Sequence, residues 1–84
     1  MEKIPILRMG KFLLVTIQVD LYDKLAENLE ADLVQMVKKT GANGVLIDNS
    51  AVSIIDSFMG RIIGNIATMS KIMDAETVVV GMQP

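Results

Sequence analysis

Two short clusters hold the side chains best equipped for chemistry, Asp48-Asn49-Ser50 and Asp56-Ser57. Each sets a carboxylate beside a hydroxyl. A serine hydroxyl becomes a nucleophile only when a neighbouring base takes its proton. The chain has no His to do so, and no Cys to serve as a thiolate, a disulfide partner or a zinc ligand. The Asp48/Asp56 pair alone specifies neither a glycosidase nor a metal site. Gly41-Ala42-Asn43-Gly44 runs into a strand and lacks the Lys-Ser/Thr of a phosphate loop, so it reads as a turn. The sequence therefore points away from an enzyme, with no catalytic residue, no metal and no cofactor. It leaves the hydroxyls as acceptors of a modification.

Ser57 is the acceptor best placed for that role. Asp56 suits the N-cap of a helix that starts there, and Ser57 then lies in its first turn, near unpaired amides and the positive end of the helix dipole. A phosphate on Ser57 would meet both. The plainer reading is that Asp and Ser simply start a helix. Ser53 is a rival hydroxyl nearby. Asp48 and Ser50 either shape the loop through side chain to backbone hydrogen bonds or take part directly.

The elements that position these residues follow from hydrophobic spacing. Ile4–Arg8 and Phe12–Ile17 read as strands joined by a tight turn at Gly10-Lys11, with Pro5 at a strand start or edge. Asp23–Thr40 reads as an amphipathic helix with Leu25, Leu29, Leu33, Met36 and Val37 on one side. Asp20 or Asp23 is its candidate cap, Lys38-Lys39 complement its C-terminal dipole, and Gly41 ends it. Gly44–Asp48 is a short buried strand, residues 49–55 a crossover, Ser57–Met73 a second helix, and Thr77–Val80 a third buried strand closed by Gly81. Strands alternating with helices imply parallel pairing and right-handed crossovers in an α/β fold. With only two helices to cover so apolar a sheet, the chain reads as one domain, residues 1–84, lacking a C-terminal covering element.

At about 100° per residue, Phe58, Met59, Ile62, Ile63, Ile66, Met69 and Met73 share the core face of the second helix. Ser57, Gly60, Arg61, Gly64 and Thr68 share the opposite face, with Asn65 at its margin and Ile72 as an apolar exception. Each glycine costs about 1 kcal/mol relative to alanine in an exposed helix. They either form a flat strip that a partner approaches closely or allow tight packing within the domain. Arg61, one turn after Ser57, either pairs with a phosphate or an acidic partner group, or is solvated.

Bulk composition narrows the class further. Hydrophobic residues make up 51% of 84, charged residues 21% and aromatics 4%, so the core is aliphatic. Eight Lys plus Arg against ten Asp plus Glu give a net charge of -2, which offers no general attraction to nucleic acid or anionic membrane. No apolar run is long enough to span a bilayer.

Val45-Leu46-Ile47-Asp48-Asn49-Ser50 followed by Ile55-Asp56-Ser57-Phe58 resembles the phosphorylation motif of the STAS family, the sulfate transporter and anti-sigma antagonist domains. Ile4-Pro5-Ile6-Leu7 and the run from Ser70 to Pro84 resemble the RsbS group, the stressosome antagonists, in particular. The resemblance implies a mixed sheet with helices mainly on one face, continued in the family by a further helix and strand. It implies that Ser57 is phosphorylated by an RsbT-like serine kinase, with Asp48, Ser50 and Asp56 completing the motif; the face that helical spacing offers such a partner carries Gly60, Arg61, Gly64 and Asn65. It implies co-assembly with RsbR-like STAS paralogues into a large cytoplasmic complex, away from membrane and nucleic acid. The family also includes direct anti-anti-sigma factors, which bind an anti-sigma kinase, and STAS domains of transporters. Asn49 departs from the pattern, which favours an apolar residue there.

Overall fold

The computed structural model describes residues 3–18, 21–51 and 57–81. Their order is β1 (Ile6–Met9), β2 (Phe12–Thr16), α1 (Asp23–Thr40), β3 (Gly44–Asp48), α2 (Ser57–Ile72) and β4 (Glu76–Val80). The four strands form one sheet in the order β1-β2-β3-β4. β1 and β2 are antiparallel, closing on the Met9–Phe12 pair around Gly10-Lys11. β2, β3 and β4 are parallel, in the register Leu14–Leu46 and Leu46–Val78.

Because β2, β3 and β4 succeed one another in a single direction, right-handed crossovers carry α1 and α2 to the same face. Burial alternates to match. Leu13, Val15, Val45 and Ile47 are buried against Leu25, Leu29, Leu33, Ile62 and Ile66 of the helices. On the other face Leu7, Met9, Phe12, Val78 and Val80 are exposed. Among the described residues the apolar strands therefore have one cover rather than two. Phe12 lies across Gly44, where any Cβ would come within 2.6 Å of its ring.

α1 and β3 have the bounds expected from spacing. The other elements shift at their ends. Ile4 and Pro5 precede β1, although Ile4 is buried, and Met9 joins it to close the turn. Ile17 follows β2 but still donates its N–H to the Asp48 carbonyl at 3.0 Å. α2 stops at Ile72 and β4 begins at Glu76. Asp74 turns between them in the left-handed region, φ 61°, while the Ala75 N–H returns to the Ser70 carbonyl at 2.8 Å.

Of the two candidate caps of α1, Asp20 lies outside the described residues, and Asp23 is not a cap. Tyr22 occupies the N-cap in extended conformation and makes no side-chain capping bond. Asp23 falls in the first turn instead, where its charge complements the dipole. The C-terminus follows expectation: Gly41 sits at φ 66° and donates to the Val37 carbonyl at 2.9 Å, after Lys38 and Lys39. Among the described residues no helix is long and apolar enough to cross a membrane.

Candidate functional site

Asp48 and Ser57 come to the same end of the molecule. β3 delivers Asp48 at its C-terminal end and α2 begins at Ser57, which puts both at the edge where parallel sheets place their sites. Asp56 and Ser53 lie outside the described residues.

Asp48 and Ser50 make the turn expected of them. One Asp48 oxygen, Oδ1, accepts the Ser50 N–H at 2.9 Å and also the Ser50 hydroxyl. The hydroxyl, and after it the N–H, holds the Asp48 carboxyl below its ordinary value near 3.8, because both bonds favour the charged form. A carboxyl depressed on folding supports the fold above the unfolded value, and that support is lost as pH falls through the folded value. Ser50→Ala should therefore raise the Asp48 carboxyl toward its ordinary value. An NMR pH titration reads this directly, and an unchanged midpoint would show that the hydroxyl does not hold the charge.

Two features of this turn go beyond the sequence reading, the burial of Asn49 and the approach of Gly81. Asn49 is completely buried; its N–H donates to the Val80 carbonyl at 2.9 Å, but neither polar atom of its side chain has a partner among the described residues. Gly81 lies directly against Ser50, where a Cβ would stand 2.5 Å from the Ser50 backbone nitrogen. The polar residue at a buried strand end was the only sequence signal for the first. The second is a contact between residues 31 positions apart, which local spacing does not encode.

α2 presents the expected two faces. Met59, Ile62 and Ile66 are buried, and Ser70 is buried with them. Ser57, Gly60, Arg61, Gly64, Asn65 and Thr68 are exposed. A Cβ added at Gly60 or Gly64 would meet nothing within 4 Å, so neither glycine serves tight packing inside the described structure. Arg61 lies over the Phe58 ring, 5.9 Å from its centre. Asn65 turns to α1 and donates to the Glu30 carboxylate at 3.3 Å. Beside them, a groove of about 290 Å³ between the helices is edged by Asp23, Glu27 and Glu30. The exposed strip thus runs from a hydroxyl, over backbone bare of side chains, to an arginine and an amide.

The sequence matches no curated protein. Among solved structures, the chain superimposes on a serine-to-glutamate variant of RsbS from Moorella thermoacetica with a TM-score of 0.83 at 23% identity, covering 96% of this chain and 68% of that one. It also superimposes on a chain of the stressosome, described as a signal integration and transduction hub, with a TM-score of 0.82 at 26% identity, covering 95% of this chain and 70% of that one. The family model of the STAS domain matches residues 3–84. Sheet order, helix placement and family model agree: the chain belongs to the STAS domain family.

Proposed function

We propose that this STAS chain is an RsbS-type antagonist, a non-enzymatic subunit of a cytoplasmic stressosome-like assembly with RsbR-like paralogues. In this reading it holds an RsbT-like serine kinase through the exposed face of α2 and releases it when Ser57 is phosphorylated, which regulates the stress response. The observation that carries the reading is the exposed hydroxyl at the first residue of α2, followed by a strip with open space at Gly60 and Gly64. A partner could approach that strip closely and would then cover Ser57.

Phosphoryl transfer moves the γ-phosphoryl of ATP to the Ser57 oxygen, with loss of the hydroxyl proton and departure of ADP. The product adds about -1.5 to -2 charge at the helix start. It would find the helix amides and Arg61, one turn on, and would oppose a partner seated over the same surface. The backbone need not move for the docking surface to change sign.

Incubation with the cognate kinase and ATP, followed by mass spectrometry, should place one phosphate on the parent chain and none on Ser57→Ala. Ser57→Asp should weaken kinase binding at least about tenfold, a loss of roughly 1.4 kcal/mol. Equal kinase affinity for Ser57→Asp and the parent would remove the charge mechanism, and phosphate on Ser57→Ala would remove the site.

A further inference from the structure

The flank of α1 turned away from α2 borders a cavity of about 580 Å³. The bond from Asn65 to Glu30 marks the side of α1 that faces α2. Asp32, Gln35, Met36 and Lys39 recur at helical spacing about half a turn round from Glu30, and all four line the cavity. The segment that leads into β1, from Lys3 to Ile6, forms the other wall. β1 is the end of the sheet farthest from β4, beyond which the family continues. The cavity therefore stands apart both from that continuation and from the strip of α2 given to the kinase.

Its floor is apolar. Ile4 is buried in the core, and Ile6 and Met36 pack against that core half-buried. Charge is confined to three side chains. Lys3 and Lys39 contribute one cation from each wall, and Asp32 contributes one anion, which leaves a single net positive charge. Among the described residues none of the three has a hydrogen-bond or ion-pair partner. Lysine stems extend an apolar floor while their ammonium groups stay at the rim. Lys38, also in the last turn of α1, does not line the cavity and is left to answer the helix dipole.

Small-molecule sites have volumes of roughly 300–1,000 Å³ and combine apolar walls with a few polar groups, as this cavity does. We propose that it binds a monoanionic amphiphile, a carboxylate on an apolar chain. The chain lies on Ile4, Ile6 and Met36, and the carboxylate accepts from Lys3 and Lys39, with the Gln35 amide as a further donor. Asp32 limits the ligand to one negative charge, since a dianion such as a phosphate monoester would meet it as a like charge.

Octanoate is the probe. Titrated into the 84-residue chain with labelled Ile and Met methyl groups, it should shift the NMR signals of Ile4, Ile6 and Met36 with a dissociation constant of about 1 mM or less. Octanol, the same chain without the charge, should bind at least about tenfold more weakly. Lys39→Glu turns the net charge of the cavity negative and should also weaken octanoate at least about tenfold, whereas Lys38→Glu, the same change one residue outside the lining, should leave it unchanged. Vesicles of phosphatidylglycerol should leave the chain in the supernatant, which separates a free carboxylate from a membrane lipid. Absence of binding, octanol as tight as octanoate, equal effects of the two lysine variants, shifts centred instead on Met9 of the open sheet face, or pelleting with the vesicles would each overturn the assignment.

Discussion

Gly81→Ala should destabilise the chain by roughly 2–4 kcal/mol. Two independent effects add at this one position. Gly81 lies at φ 77°, a conformation that costs an L side chain about 1–2 kcal/mol. A new Cβ would also stand 2.5 Å from the Ser50 nitrogen and 2.7 Å from its Cα. Those neighbours are backbone and cannot rotate away, so the turn that carries Asp48 and Ser50 must move. Domains of this size have a total stability of only about 5–10 kcal/mol, so the change takes a large share of it. Urea denaturation measures the loss. Adding Ser50→Ala to Gly81→Ala should restore little, because the clash with the backbone remains. Full recovery in the double variant would assign the contact to the Ser50 hydroxyl instead.

Asn49→Val should act in the opposite direction, stabilising by about 1–3 kcal/mol. Asn49 is fully buried and, among the described residues, neither its amide nitrogen nor its side-chain oxygen has a partner, so each has lost water without a replacement from them. Valine removes that penalty and suits the end of a strand, while the backbone bond to Val80 remains available. Asn49→Asp should do the reverse and destabilise by about 3 kcal/mol or more, since it buries a charge with no counterpart. Paired thermal and urea unfolding would check both. A Val variant weaker than the parent would mean that the amide is satisfied after all.

These two positions mark where sequence reading stops. The bounds of α1 were legible because eighteen residues of regular spacing end at a glycine. Those of β3 were legible because a continuous apolar run is flanked by polar residues. The core face of α2 followed from the same periodicity, with Ser70 its one unexpected buried member. Which side of the sheet would be covered was not legible from the strands, since Leu14 and Leu46 are as apolar as Leu13 and Val45 although they face the open side. Handedness supplied that answer. Strand ends shifted where pairing, rather than composition, decides: Met9 enters β1 only because Phe12 lies opposite it. The contact of Gly81 with Ser50 and the pairing of Asn65 with Glu30 depend on three-dimensional juxtaposition and leave no local trace.

The exposed strip of α2 was outlined by spacing, but its character came from the coordinates. Two readings of Gly60 and Gly64 were open until their surroundings proved empty. Arg61 had no assigned neighbour until it was found over Phe58, which gives the guanidinium a resting place one turn from the hydroxyl it would answer to.

Spatial order in the sheet repeats order along the chain, strand by strand. A ribosome releasing this polypeptide would expose the hairpin first, then each helix–strand unit in the sequence in which it docks, so that no early segment waits for a late one to be inserted between its neighbours. Pairings between nearby segments close short loops, which favours rapid assembly for a fold rich in parallel strands. Each described strand joins the rim of those already formed, and a vectorial folding experiment on stalled nascent chains would see protection spread from the first strand to the fourth.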